Sequence, residues 1–221
     1  AFKNSMIYNM AHMPGPSLQT AMNELSNHDH SRFLTRTNRR VGRMNTLGSD
    51  AASQGIDKGV MREAVVMQMT WVGAPTVYYG DEAGMVGWTD PDNRRSYPWG
   101  KQDWELIEFH KDMIRIHKKY ECFRSGSYKS IASGSHWICY GRFNKKLQAV
   151  ILINNRRETL TVDLPIWQIG ILENACLKRV IQTTQSTYNV GEVMERAEDG
   201  ILHVTVGPQT ASVYIAAKNV E

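Results

Sequence analysis

The apolar periodicity of the chain changes character after Phe123, and that change constrains the fold more than any other feature. Before it, apolar residues recur at helical spacing. Phe2, Met6 and Met10 fall four apart, and residues 59–72, GVMREAVVMQMTWV, carry Met and Val around nearly the whole helical circumference, which implies burial on most sides. After it, HWICYGRF, LQAVILIN, TLTVDL, GILHVTV and ASVYIAA alternate as strands separated by turn residues. Residues 1–121 read helix, strand, helix, strand, helix, with MPGPS as a breaker, strands over 19–26 and 74–80, and a last helix over 103–120 whose apolar stripe is Trp104, Ile107, Ile114 and His117. That order is the mark of β/α units on a parallel sheet. Residues 122–221 read as all-β, for which two antiparallel sheets face to face are the economical architecture. The connection ECFRSG, 121–126, is expected to carry few contacts between two halves, the second of which folds alone.

Composition narrows the class of protein. With 42% hydrophobic and 22% charged residues in 221, the chain can bury a sizeable core and is of ordinary globular type. No apolar run reaches the roughly 18 residues of a membrane span, and AFKNSMIYNM lacks the stages of a secretory signal, so no membrane partner is expected and the cytoplasm is slightly favoured. The net charge of +4 has one concentration, Arg36, Arg39, Arg40 and Arg43, with no aromatic residue interleaved. A solvated loop is therefore expected there rather than a nucleic-acid surface. Cys122, Cys139 and Cys176 are too widely spaced for a C-x-x-C site and read as packed thiols.

Chemistry concentrates in ELSNHDHSRFL, residues 24–34, where two histidines crowd Asp29. Such a cluster can bind a metal, serve a nucleophile as its base, or line a pocket for a polar ligand. A metal would require His28 and His30 together with a third ligand, and none stands at a zinc-type spacing. Asp90 and Arg94, four apart around Pro91, are either a surface turn or a second polar pair. Trp88, Tyr97 and Trp99 either stack on a ligand or pin their loop, and Tyr78 and Tyr79 read as core.

Taken in order, MNELSNHDHSRFL, GAPTVYYGDEAGM and TDPDNRRSYPW, followed by a β-region ending ILHVTVGPQTASVYIAA, resemble the alpha-amylase family of glycoside hydrolases, nearest its neopullulanase and cyclomaltodextrinase branch. The resemblance implies a fold of α/β plus all-β type: residues 1–121 as the last two β/α units of a (β/α)8 TIM barrel, and residues 122–221 as a C-terminal antiparallel β-sandwich. It implies that Asp29 is the carboxylate that grips the reacting sugar and stabilises the transition state, with His28 donating to the same sugar. Asn27, Asp90 and Arg94 would bind substrate, an α-glucan oligosaccharide or polysaccharide; no cofactor and no metal are implied. A retaining glycosidase also needs a nucleophile and a general acid about 5 Å apart. The family's signatures for those two are not found in these residues, so the chain is expected to be the C-terminal portion of a longer enzyme and inactive alone. Its partner would be the N-terminal part of the barrel, and its open edges would favour self-association. The competing expectation is a non-catalytic carbohydrate-binding or structural module. Asp81 and Glu82, adjacent on extended chain, point to opposite sides and cannot flank one glycosidic bond; Glu82 reads as a buried structural acid.

Overall fold

A computed structural model describes residues 2–217. The first helix, α1 (Phe2–Ala11), ends at the proline-rich breaker, but the breaker also starts a helix: α2 (Gly15–Thr20) carries a proline in its first turn, where a fixed φ favours helix entry. The strand expected over 19–26 is thereby shortened to β1 (Met22–Glu24). The arginine-bearing segment expected as a solvated loop is flanked by short turns of helix, α3 (Phe33–Arg36) before it and α4 (Met44–Leu47) and a 3-10 turn at Asp50–Ser53 after it.

Helix α5 (Lys58–Thr70) starts where Asp57 accepts a hydrogen bond from the Val60 N–H at 3.1 Å, satisfying one of the free donors of the first turn. It is buried around most of its surface, as its Met and Val content implies, and Arg62, Glu63 and Gln68 are buried with it. Gln68 Nε2 donates to Asn23 O at 3.0 Å and to Thr76 O at 2.8 Å, so one side chain ties α5 to β1 and to β2 (Ala74–Thr76). The two strands pair in parallel, Met22 opposite Ala74. Gly73, at φ +124, allows the return: a Cβ there would collide with Ala21 O, which accepts from Ala74 N. β2 stops at Thr76, short of the expected Gly80, because β1 offers no further residue to pair with. Tyr78 and Tyr79 consequently leave the sheet and lie at the surface, half-buried and exposed, rather than in the core.

Helix α6 (Trp104–Lys119) is capped by Asp103 and ends in His117, Lys118 and Lys119, which suit the negative end of its dipole. Its buried stripe is Leu106, Phe109, His110, Met113 and Ile116, displaced from the expected one, and Trp104 is exposed. A short α7 (Cys122–Ser125) follows.

The β-region is antiparallel throughout, as expected, but unequal. β3 (Ser127–Gly134), β4 (Trp137–Phe143), β5 (Leu147–Asn154), β7 (Cys176–Thr183), β8 (Tyr188–Arg196) and β10 (Thr210–Ala217) form a six-stranded sheet in the order β3-β4-β5-β10-β7-β8. β6 (Leu160–Pro165) and β9 (Ile201–Val206) form a two-stranded partner. Bulges in β3 and β7 break the period-two alternation, and edge strand β8 buries no side chain, so these three have no clean strand pattern.

The large sheet is buried on both faces. Cys139, Val150, Leu152, Leu177 and Tyr214 face β6 and β9. Tyr140, Ile151, Ile153, Ile181 and Val213 share a core with Val65, Met69, Phe109 and Met113 of the helices. This corrects the expectation of a sparsely contacted connection: Cys122 and Phe123 are buried in that core, and Arg142 in β4 donates to Thr70 O at 2.8 Å and Gly126 O at 3.0 Å. Three turns of the β-region also dock on α5. Asn155 bonds Glu63, Ser186 O accepts from Arg62 at 2.9 Å, and Gln209 donates to Asp57 at 2.5 Å. Of the cysteines, Cys122 and Cys139 are packed thiols, but Cys176 is exposed.

Candidate functional site

The segments that leave the carboxyl ends of β1 and β2, residues 25–32 and 77–95, meet above the parallel pair. Asn27 fixes the first of them. Its Oδ1 accepts from the N–H groups of Asp29 and His30 at 3.0 Å each and lies 2.9 Å from His30 Nδ1, while its Nδ2 donates to Glu24 at 2.7 Å. Asn27 and His30 are thus engaged in shaping the turn, and its product is to present His28 and Asp29 outward. Their side chains are 68% and 66% exposed, with His28 Nε2 3.4 Å from Asp29 Oδ1.

The second segment closes on the first through residues 90–94. Arg94 Nε lies 2.8 Å from Asp90 Oδ1 and donates to His28 O at 3.3 Å, so the Asp90–Arg94 pair and the His28–Asp29 pair stand side by side. Beneath them, buried Asn93 donates to His30 O at 2.8 Å and Asn27 O at 3.2 Å. Arg32, with no exposed surface, donates to Asn93 O at 2.8 Å, Tyr79 O at 2.6 Å and Asp81 Oδ1 at 3.0 Å. The rings of Tyr78 and Tyr79 cover its guanidinium at 4.1 and 4.7 Å. Burial pushes the Asp81 carboxyl up, against the bonds from Ser26 and Arg32. The buried acid is therefore Asp81; Glu82 is half-buried and accepts from the Gly80 N–H at 2.8 Å.

Asp92 anchors the outer part of the same loop. It accepts from Ser49 at 2.6 Å, from Trp88 N at 2.8 Å and from Arg95 at 3.1 and 2.8 Å. Burial works to raise its pKa, but these bonds together hold the carboxyl below its ordinary value. Trp88 is 1% exposed and donates to Gly48 O at 3.0 Å, so it pins the loop, whereas Trp99 is 79% exposed against Tyr97. Of the four basic residues, Arg36, Arg39, Arg40 and Arg43, all are exposed. No group of three potential metal ligands occurs among the described residues. A cavity of about 780 Å3 lies between α1, α5 and the β3–β4 hairpin and includes none of the five residues singled out as site candidates. The candidate site is instead an open surface, with side chains converging from two strand ends.

The framework residues Arg32, Asn93 and Asp92 escape a reading of the sequence. An arginine in SRFL carries one visible signal, a charge set among residues that are otherwise buried; Asn93 and Asp92 carry none inside the polar run TDPDNRR.

Parallel β/α pairing joined to an antiparallel β-region defines a β/α-type protein, and its candidate residues stand at the strand ends, where such folds commonly place their sites. The catalytic domain of alpha amylase matches residues 1–152, through the end of α7 and into β5, and the chain belongs to that family. It is 36% identical over 132 residues to an amylopullulanase of Thermoanaerobacter thermohydrosulfuricus, covering 58% of this chain and 9% of that protein. It is 33% identical over 174 residues to a cyclomaltodextrinase of Thermoanaerobacter pseudethanolicus, covering 77% and 27%. The crystal structure of an Anoxybacillus alpha-amylase superposes with a TM-score of 0.75 at 25% identity, covering 99% of this chain and 42% of that one. The chain thus spans less than half the length of each of these relatives.

Proposed function

We propose that this chain is the C-terminal portion of a retaining α-glucan hydrolase, with residues 1–121 supplying the last two β/α units of a (β/α)8 barrel and residues 122–221 a β-sandwich. Asp29 holds two hydroxyls of the sugar at the cleavage point and keeps a nearby carboxylic acid protonated by its negative charge. His28 donates to the same sugar, in a bond that strengthens as charge develops. Asp90 and Arg94 hold the neighbouring glucose through its hydroxyls. Asn27 acts mainly on the backbone, by shaping the turn that presents the first two.

One observation carries this reading. The backbone under His28 and Asp29 is held by a buried network of Arg32 and Asn93, yet among the described residues the Asp29 carboxylate meets only His28, and both side chains face solvent. Rigid support beneath side chains without internal partners is the arrangement a binding site needs. The nucleophile and acid of the mechanism come from residues outside these 221, and the open edges of β1 and β2 are where the rest of the barrel pairs.

Reducing-sugar release from maltooligosaccharides tests the proposal. The purified chain should show none above background. In an enzyme that contains this chain as its C-terminal part, Asp29→Asn should lower turnover by orders of magnitude with an unchanged melting temperature. A lowered melting temperature with intact turnover would make Asp29 a structural residue and overturn the assignment.

A further inference from the structure

Two polar pairs can hold neighbouring sugars without acting together, each on its own loop. In this chain each loop is rigid by local means. Asn27 closes the first by accepting from the N–H groups of Asp29 and His30, and the Phe33 N–H donates to Ser26 Oγ at 2.9 Å. Asp92 closes the second by its bonds to Ser49, Trp88 N and Arg95. None of these bonds sets one loop against the other.

Asn93 does. It stands in the 3-10 turn Asp92–Arg94, between Asp90 and Arg94 in the chain, and has no exposed surface. Its Nδ2 donates to His30 O at 2.8 Å and to Asn27 O at 3.2 Å, the carbonyls on either side of His28 and Asp29. Its main-chain O accepts from Arg32 Nε at 2.8 Å. Another bond across the gap, from Arg94 Nε to His28 O, is longer at 3.3 Å, and its donor lies on a side chain open to solvent. The remaining polar atom of the amide, Asn93 Oδ1, is buried and meets no partner among the described residues. An unpaired buried acceptor is costly, and an apolar side chain would avoid that cost. The amide therefore serves through its two donated bonds.

We infer that Asn93 is a positioning residue that locks the two pairs into one frame, so that a glucose held by Asp90 and Arg94 fixes where the reacting sugar lies against His28 and Asp29. The identity of the sugars rests on the proposed function; the lock itself rests on the bonds from Asn93 across the two loops. If the pairs were free to shift, a neighbouring glucose would add affinity and lower KM alone. Because they are locked, its binding also orients the reacting bond and is expressed in kcat. The site thereby selects, in turnover, substrates that extend beyond the reacting glucose.

Turnover of nitrophenyl α-glucoside and nitrophenyl α-maltoside by an enzyme that contains this chain as its C-terminal part tests this. The leaving group is the same, and only the maltoside reaches Asp90 and Arg94. In the parent, kcat should be higher on the maltoside. Asn93→Ala, which has no donor, and Asn93→Asp, whose carboxylate cannot donate, should lower kcat on the maltoside by about tenfold or more. Both should leave kcat on the glucoside nearly unchanged and KM for the maltoside below that for the glucoside. The Asp variant keeps the size of the side chain should the smaller one fold poorly, and circular dichroism shows which is folded. An equal loss of kcat on both substrates would make Asn93 a support of the fold alone and overturn the lock. Unchanged kcat on both, or a parent that turns over the two substrates equally, would overturn it as well. These results would leave the proposed function standing, provided that Asp29→Asn abolishes turnover of both substrates. Intact turnover in Asp29→Asn would overturn the proposed function, and the lock with it.

Discussion

Arg32 is the residue on which the site's geometry turns, because it joins the two strand-end segments from below while touching no solvent. Removing one member of a buried ion pair leaves the other uncompensated, typically at about 3–5 kcal/mol. Arg32→Met should therefore destabilise the chain by about that amount, read from urea unfolding, while the exposed Arg94→Met should change stability by less than about 1 kcal/mol. Glu63 gives a second test, through pH. Its carboxyl is raised from the ordinary 4.5 to about 8, burial being the main cause, so between those values the folded chain holds a proton that the unfolded chain has released. The folded form is favoured most below the lower value and loses that contribution as pH rises through the upper one. Melting temperature should fall between pH 5 and 8 in the parent, and Glu63→Gln, which cannot ionise, should flatten that part of the profile. An unchanged profile in the variant would place the proton elsewhere.

At the scale of the element, α5 integrates the molecule. Its Asp57 caps the helix with one oxygen and receives Gln209 of the β-region with the other. Loss of an N-cap costs about 0.5–2 kcal/mol, and the second bond adds to it. Asp57→Ala should cost about 2 kcal/mol, whereas Asp57→Asn or Asp57→Ser should recover most of the capping part. Equilibrium unfolding of the three variants separates the two contributions. The elements legible in the sequence were those with an uninterrupted period: α5, α6 and β5 stand within a residue or two of the expected positions. β3 and β7 were not, because a bulge shifts each register midway, and β8 was not, because an edge strand with both faces accessible has no reason to alternate.

At the scale of the whole molecule, the large sheet packs as the middle layer between helices and the small sheet. Tyr140, Ile151, Ile153, Ile181 and Val213 would all be uncovered if residues 1–121 were cut away. Burial of each such side chain is worth about 1.5–3 kcal/mol, so their combined exposure costs about as much as the roughly 5–15 kcal/mol by which domains are stable. Residues 122–221 alone should therefore bind a hydrophobic dye or associate, and limited proteolysis of the full chain should not release a stable monomeric β-core. A soluble monomer of about 100 residues, resistant to protease, would show that the sheet can repack its helix-facing side. The parallel pair β1–β2 has open edges as well, and sedimentation of the full chain should show association that depends on concentration.

What this sequence determined by itself is whatever depends on near neighbours along the chain. Helical and alternating periods, helix caps and the residues that crowd Asn27, His28 and Asp29 are set over a few positions, and the family resemblance is carried by short motifs in a fixed order. The tertiary structure decided which acid is buried, Asp81 rather than Glu82, because that depends on Arg32, forty-nine positions away. It decided that Tyr78 and Tyr79 cover a guanidinium instead of entering a core, since β2 can be no longer than the strand beside it. It also decided that the α/β part and the β-region share a core. A strand reading AVILI records that both its faces are apolar, but the identity of what covers each face depends on contacts between distant parts of the chain, which no local pattern encodes.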